Sequence, residues 1–169
     1  SGPVVISSTA TLKAIAYKSG MADSAVTSGT YTIQPDILLQ AENYSSWSAG
    51  GLYIGDLGGG EYAVSGASHN DWLAFSNVNL GSGYTGLSVR YASPVNDRGF
   101  ELRLDSTSGT LIGTFTTDPA TAAWGTYGTA NISLSGASGI HTVYVVFKSF
   151  GSGTYAHSLE WIKFTGGSS

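Results

Sequence analysis

The feature that most constrains the fold of this chain is a series of short apolar stretches that follow one another from residue 37 onward, separated by Gly, Asn, Asp and Pro. These stretches lack helical periodicity over a useful length, and several alternate with the period of two that is typical of half-buried strands. The alternation is clear at Leu87, Val89 and Tyr91. Residues 144–147 are apolar on both faces, which predicts a central strand. We therefore predict an all-β fold, a β-sandwich of two antiparallel sheets.

A separate β-pattern precedes this region. Residues 11–17 and 26–33 alternate like strands around a turn at residues 18–21, which predicts an N-terminal β-hairpin. An isolated hairpin is marginally stable in water, so we expect this piece to need a partner. The predicted organisation is a β-segment at 1–33, a linker at 34–36, a main β-domain at 37–164 and a tail at 165–169.

Composition excludes several classes of partner. The formal charge of the 169 residues is −4, and the 7 Lys and Arg residues form no basic run, which argues against binding to nucleic acid or to an anionic membrane. No apolar run approaches the ~20 residues of a membrane span. Cysteine is absent, which removes both a disulfide framework and a thiolate metal site.

Oxygen-bearing side chains at the start of the main domain suggest a cation site. Gln40 and Glu42 are two residues apart at the end of an apolar run, and on a strand they would point to one face. Glu160, on the last predicted strand, could join them if the first and last strands pair. Such a set of hard oxygens is a plausible start to a Ca²⁺ site. A solvated carboxylate at Glu42 is an equal alternative on the residues alone.

Seven short phrases, taken in order, resemble a family 6 carbohydrate-binding module, the β-jelly roll appended to many bacterial polysaccharide-degrading enzymes. The resemblance covers residues 37–164, and its phrases are residues 40–44, 58–60 with 70–73, 89–93, 101–105 with 111–113, 124–127, 139–147 and 159–162. It implies a jelly-roll sandwich that binds sugar without catalysis. It also implies a covalently linked catalytic domain, a monomeric state and an extracellular location in a bacterium.

The N-terminal segment carries a second resemblance. Residues 6–33 are similar to the last third of the fibronectin-like domain found beside the catalytic domains of chitobiases and other secreted bacterial glycosidases. By that resemblance we expect the chain to be a fragment of a longer modular protein.

The first resemblance also implies a structural calcium. In the family the ion is held by the Gln and Glu of the first strand and by an acid just before the last-strand Trp. Gln40, Glu42 and Glu160 stand at these positions. The family usually has Asp where this chain has Glu160, so the coordination is expected to differ in detail.

The sugar site that the resemblance implies consists of two aromatic rings and a polar residue in loops at one edge of the sandwich. Trp124 matches one ring, but residues 64–69, where the family usually has a Tyr, contain none. We therefore predict substitutes from nearby and from the C-terminal loop. The predicted carbohydrate-binding residues are Trp124, His69, Asn70, Tyr62, Phe150 and Tyr155.

The physical basis of such a site is that a pyranose stacks the C–H groups of one face on an aromatic ring while its hydroxyls need directional partners. Trp124 lies in a Gly- and Ala-rich loop and is predicted to face a ligand, with core packing as the alternative. Trp72 and Trp161 lie within strand patterns and are predicted to be core residues.

Catalytic machinery is not evident. The sequence contains no zincin motif, nucleophile elbow, phosphate loop or Cys nucleophile. Glu101 and Asp105 would be ~13 Å apart on one strand and alternate with Arg103, so we predict an ion-paired face; a weak second sugar site on a concave sheet face is the alternative.

The expected ligand is a neutral polysaccharide such as a β-1,3-glucan or other β-glucan, xylan or agarose. A structural or adhesive sandwich without a sugar site is the competing hypothesis.

Overall fold

Short strands joined by tight turns form nearly all of the regular structure. The computed structural model describes residues 4, 6, 9–153 and 157–166. One 3-10 turn, Ala41–Asn43, interrupts the strands, and no helix in the described part is long and apolar enough to cross a membrane. The strands are β1 (Ala10–Ala14), β2 (Thr27–Tyr31), β3 (Ile37–Gln40), β4 (Ser46–Trp47), β5 (Tyr53–Gly58), β6 (Glu61–Ser65), β7 (Trp72–Asn79), β8 (Tyr84–Ala92), β9 (Arg98–Leu104), β10 (Leu111–Thr116), β11 (Gly128–Ala137), β12 (Ile140–Ser149) and β13 (Ser158–Thr165).

Two antiparallel sheets build the main domain, which confirms the predicted all-β sandwich. The five-stranded sheet has the order β10-β9-β12-β7-β4. The six-stranded sheet has the order β11-β8-β13-β6-β5, and β3 also pairs with β13. Strand β12 lies between β9 and β7, as its apolar residues on both faces predicted. The first and last strands of the domain, β3 and β13, are neighbours.

The core fills the space between the two sheets. Every second residue of the central strands points inward, and burial of these apolar side chains is the main favourable term in folding. The fully buried large side chains include Leu73, Leu87, Phe100, Leu102, Phe115, Phe147, Leu159, Ile162 and Phe164.

Two tryptophans that were predicted to be core residues point away from the core. Leu73 is fully buried, so the neighbouring Trp72 points to the outer face, where its ring lies 5.4 Å from that of Tyr144. Ile162 is likewise buried, and Trp161 points outward. Both tryptophans are half-buried rather than core residues. The prediction was wrong because two adjacent apolar residues on a strand do not indicate which of the two faces the core.

The N-terminal segment forms the predicted hairpin and connects to the domain by an anchored linker. Strands β1 and β2 pair antiparallel from Ala10 opposite Tyr31 to Ala14 opposite Thr27. In the linker, the side-chain amide of Gln34 donates to the carbonyl of Leu80 at 2.9 Å. The hydroxyl of Tyr84 donates to the carbonyl of Pro35. These bonds hold the start of the main domain against the turn before β8.

Candidate functional site

A cleft of about 360 Å³ opens where the ends of β5, β6 and β13 meet the loop that precedes β11. It is lined by Tyr53, Ser65, Gly66, Ala67, Trp124, His157 and Ser158. Among the described residues, the lining contains one histidine and no Asp, Glu, Lys or Arg. The cleft therefore offers aromatic surface and hydroxyl groups rather than charge.

Two aromatic rings stand at this cleft and remain open to solvent. Tyr53 is 60% exposed and Trp124 is 47% exposed. Trp124 lies in a turn in which the amide of Thr126 donates to the carbonyl of Ala123 at 3.0 Å. Exposed rings of this size normally lose water when a partner covers them, so the pair is suited to stacking on a ligand with an apolar face.

Gly66 determines where the Tyr53 ring can lie. Its φ of +77° is favourable for glycine. A Cβ at this position would lie 2.9 Å from two ring carbons of Tyr53 and 2.4 Å from the carbonyl oxygen of Gly51. Glycine therefore permits the ring to pack closely against the end of β6, beside the cleft.

Hydroxyl groups supply the polar part of the cleft. The Oγ atoms of Ser65 and Ser158 are 2.8 Å apart and hydrogen-bonded. Tyr127, on the loop that precedes β11, lies outside the lining. Burial raises the pKa of Tyr127, so its phenol is protonated at neutral pH. Serine and tyrosine hydroxyls both donate and accept, which suits them to the hydroxyls of a sugar.

His157 adds a neutral polar group at the cleft. Its imidazole is fully buried, and burial lowers its pKa to about 3. The rings of Phe147, Phe115, Phe100 and Tyr91 surround it, with centroids at 5.3, 5.5, 5.7 and 6.4 Å. Neither ring nitrogen has a hydrogen-bond partner within the part of the chain described here. A buried histidine of this kind is uncharged at neutral pH.

Of the predicted sugar-binding residues, Trp124 lines the cleft and four others do not. His69 accepts a hydrogen bond from the amide of Ser149 at 3.1 Å. Asn70 accepts one from Nζ of Lys148 at 2.8 Å. The amide of Phe150 donates to the carbonyl of Asp97. Tyr62 lies on β6 but is not in the lining, and Tyr155 lies outside the described residues.

Sequence reasoning missed Tyr53, Ser65 and Ser158. Tyr53 follows Gly50 and Gly51, and an aromatic residue in a Gly-rich stretch is the same signal that selected Trp124. The two serines carry no comparable signal in a chain rich in Ser.

The structure brings the predicted calcium ligands to one region, but Glu42 does not lie on the strand that was predicted to carry it. Strand β3 ends at Gln40, and Glu42 lies in the 3-10 turn, so the prediction that both project from one strand face was wrong. Gln40 pairs with Trp161, the residue after Glu160. Glu160 lies at a register shift in β13, is buried and forms an ion pair with Arg90.

One observation at this region suits a cation. The Oε2 atom of Glu42 is buried and has no hydrogen-bond partner among the described residues. An unpaired buried carboxylate oxygen is costly, and a hard cation such as Ca²⁺ would compensate it. Across the described ranges no three His, Asp or Glu side chains form a metal-binding group. Further oxygens would therefore have to come from Gln40 and from backbone carbonyls.

The predicted ion-paired face on β9 is confirmed. Glu101 contacts Arg103 at 3.0 Å and Lys148 at 3.3 Å. Burial raises the pKa of Glu101, but the hydrogen bonds and charges of Arg103 and Lys148 outweigh burial, and the pKa is lowered. Asp105 is not part of this face, because β9 ends at Leu104 and Asp105 instead contacts His141. A second sugar site on this sheet stays a prediction.

Comparison with known families gives a match over most of the chain. The model of the carbohydrate binding module (family 6) matches residues 40–166. Among curated proteins, the endo-1,4-β-xylanase A of Thermoclostridium stercorarium is 31% identical over 110 residues, which cover 65% of this chain and 21% of the xylanase. The chain therefore spans about a fifth of the length of this relative.

Solved structures agree with the family match. The crystal structure of a family 6 carbohydrate-binding module from Clostridium cellulolyticum in complex with xylose has a TM-score of 0.69 and 36% identity, and the match covers 77% of this chain and 97% of that one. A β-1,3-glucan-binding module of the same family from Bacillus halodurans has a TM-score of 0.68 and 27% identity, with 77% and 96% covered.

Proposed function

This chain belongs to carbohydrate-binding module family 6 and is a non-catalytic module, and from that premise we propose that it binds a neutral polysaccharide in the cleft between Tyr53 and Trp124. The single observation that supports this site most strongly is the presence of two exposed aromatic rings in one cleft. The hydrogen-bonded hydroxyls of Ser65 and Ser158 lie in the same cleft. This combination meets both needs of a pyranose, an apolar platform and directional partners.

The volume and charge of the cleft limit the class of ligand that it can bind. A volume of about 360 Å³ is at the lower end of the range for ligand pockets, which favours a chain end or a short stretch of polysaccharide. Within the part of the chain that the structure describes, the lining contains no Lys or Arg that could pair with an acidic sugar, and the chain has a net charge of −4. Neutral glycans are therefore the proposed class.

The relatives indicate which neutral glycans to test first. One similar structure is in complex with xylose, and another is described as β-1,3-glucan-binding. The curated relative is a xylanase. We propose xylan and β-1,3-glucan as the primary candidates, with agarose as a third.

The setting of the module is proposed from the same relatives. The chain would be an accessory module of a secreted bacterial glycoside hydrolase, covalently linked to a catalytic domain and monomeric. The hairpin β1–β2 would be the end of a chitobiase-type fibronectin-like domain, since it forms no strand pairs with either sheet of the sandwich among the described residues.

A structural calcium is part of the proposal. Gln40, Glu42 and Glu160 would hold the ion, and the unpaired buried oxygen of Glu42 supports this assignment. When bound, the ion would supply positive charge that joins β3 to β13. Glu160 would divide its carboxylate oxygens between the ion and Arg90.

Affinity electrophoresis tests the proposed function directly. The chain is run in native gels that contain xylan, laminarin (a β-1,3-glucan) or agarose, and in a gel without polysaccharide, and reducing sugar is assayed in parallel. Retardation without release of reducing sugar is the expected result. Release of product would indicate an enzyme, and mobility equal to the polysaccharide-free gel would favour the structural spacer instead.

A further inference from the structure

The exposed ring of Trp124 lies in a loop of small residues. Alanine occupies positions 122 and 123, and Gly125 follows the ring. A Cβ at Gly125 would meet no atom within 4 Å, so the loop is loosely surrounded at this point. A ring on such a backbone would lose conformational freedom when it stacks on a sugar, and that loss weakens binding. The orientation of Trp124 therefore depends on the hydrogen bonds that hold its loop.

Thr121 makes three hydrogen bonds in the described part of this loop. Its amide donates to the carbonyl of Ser93 at 2.7 Å, and its Oγ1 atom accepts from the amide of Ser93 at 2.8 Å. The same hydroxyl donates to the carbonyl of Ala123, the residue before Trp124, at 3.2 Å. A threonine hydroxyl has one donor hydrogen and two acceptor lone pairs, so Oγ1 can make both of its bonds at once.

The partners of Thr121 lie on either side of it, one in the core and one beside the ring. Ser93 directly follows β8 and is fully buried. The carbonyl of Ala123 also accepts from the amide of Thr126 at 3.0 Å, so two hydrogen bonds converge on the peptide before Trp124. The Thr121 hydroxyl therefore connects a buried residue at the end of an interior strand to the peptide that carries the ring.

We propose that Thr121 is a positioning residue for sugar binding, which holds the peptide before Trp124 so that the ring is oriented before a ligand arrives. This inference rests on the proposed function of the cleft. Thr121 lies outside the cleft lining, so its effect reaches the glycan through Trp124. A ring that is already oriented loses less conformational freedom on binding, which raises the affinity.

The test is the pair of substitutions Thr121→Val and Thr121→Ser. Valine has nearly the shape of threonine but lacks the hydroxyl, whereas serine keeps the hydroxyl and loses only the methyl group. Dissociation constants for xylan and laminarin are measured by affinity electrophoresis, well below the melting temperature of each variant. Binding of whichever polysaccharide retards the parent should weaken about two- to tenfold in Thr121→Val, the effect of one side chain that binding must immobilise. Thr121→Ser should recover most of that loss.

A second readout separates positioning from a general loss of stability. The heteronuclear NOE of the indole N–H of Trp124, assigned by its absence from Trp124→Ala, reports fast motion of this ring, and the other tryptophans serve as internal references. Thr121→Val should lower this NOE at Trp124 alone, and Thr121→Ser should keep it. Thr85→Val is the matched control, because it also loses a threonine hydroxyl bond, to the carbonyl of Gly166 at 3.1 Å, but near the start of β8. Its binding and its NOE should equal those of the parent.

Three results would overturn the inference: parent-like binding in Thr121→Val, weakened binding with an unchanged NOE at Trp124, or equal weakening in Thr121→Ser. If Thr121→Val does not fold, Thr121→Ala, which also lacks the hydroxyl, is measured in its place with the same outcomes. A parent chain that neither polysaccharide retards would overturn the proposed function and this inference together. A retarded parent with unchanged Thr121→Val overturns this inference alone.

Discussion

The neutral imidazole of His157 should make the stability of this module fall as the pH is lowered. In the folded chain burial lowers the pKa of His157 to about 3, whereas an unfolded histidine has a pKa of about 6.5. Between these two values the unfolded state binds one proton more than the folded state. The stability contributed by this group is therefore complete above about pH 6.5 and is lost as the pH falls toward about 3.

The size of the effect follows from the same two values. Each pH unit in this window is worth about 1.4 kcal/mol, so about 2.7 kcal/mol should be lost at about pH 4.5, two units below the pKa of the unfolded histidine. This is a large fraction of the 5–15 kcal/mol typical of a folded domain. Acidic groups also change the free energy of unfolding with pH. Their contribution is the same in a variant that lacks only His157, so it cancels in the difference between the parent and that variant.

The informative variant is His157→Phe, which places a fourth phenylalanine among the rings of Phe100, Phe115 and Phe147. Free energies of unfolding in urea are measured at several pH values between about 4.5 and 7.5 for the parent and the variant. The parent should lose about 1.4 kcal/mol per pH unit more than the variant in the lower part of this range. Phe164→Leu is the control, since Phe164 is a buried core residue without a titratable group; it should shift the whole profile by a constant amount. Parallel profiles for the parent and His157→Phe would show that the folded and unfolded states of the parent bind the same number of protons at His157, which contradicts this prediction.

Two further predictions concern the metal and the second sheet. Addition of a chelator should lower the melting temperature of the parent, because a ligand that binds only the folded state stabilises it by mass action. The Glu42→Gln variant should have the same melting temperature with and without chelator. An unchanged melting temperature of the parent would contradict the calcium assignment. Glu101→Ala should leave retardation by xylan and laminarin unchanged, because Glu101 is engaged by Arg103 and Lys148; lost retardation would instead locate a second sugar site on that sheet.

The fold of this chain was largely predictable because its alternation is strong. The apolar residues 144–147 correctly predicted that β12 is central. Where two apolar residues are adjacent, the local pattern does not indicate which one faces the core, and this is why Trp72 and Trp161 were predicted as core residues. The local pattern also does not determine where a strand ends. Strand β3 ends at Gln40, so Glu42 lies in the 3-10 turn and not on the strand.

The cleft was harder to predict than the fold because it depends on long-range pairing. Tyr53 comes before the Gly-rich loop in the chain, and only the β5–β6 register brings it opposite Ser65. In the described part of the chain, β6 pairs with β13 where Val64 lies opposite Leu159, and these residues are distant in sequence. A pairing of this kind leaves no local sequence signal, so the partner of Trp124 could not be identified from the residues around it.

The most direct test of the account is the dissociation constant of the Trp124→Ala and Tyr53→Ala variants for the polysaccharide that retards the parent. Loss of a central stacking ring typically costs about 2 kcal/mol or more, or roughly a thirtyfold weakening. We expect each variant to lose detectable retardation with little change in its chelator-sensitive melt, and His69→Ala, outside the cleft, to lose much less. Native-like melting with unchanged binding in both ring variants would contradict the account and show that the sugar site lies elsewhere on the module.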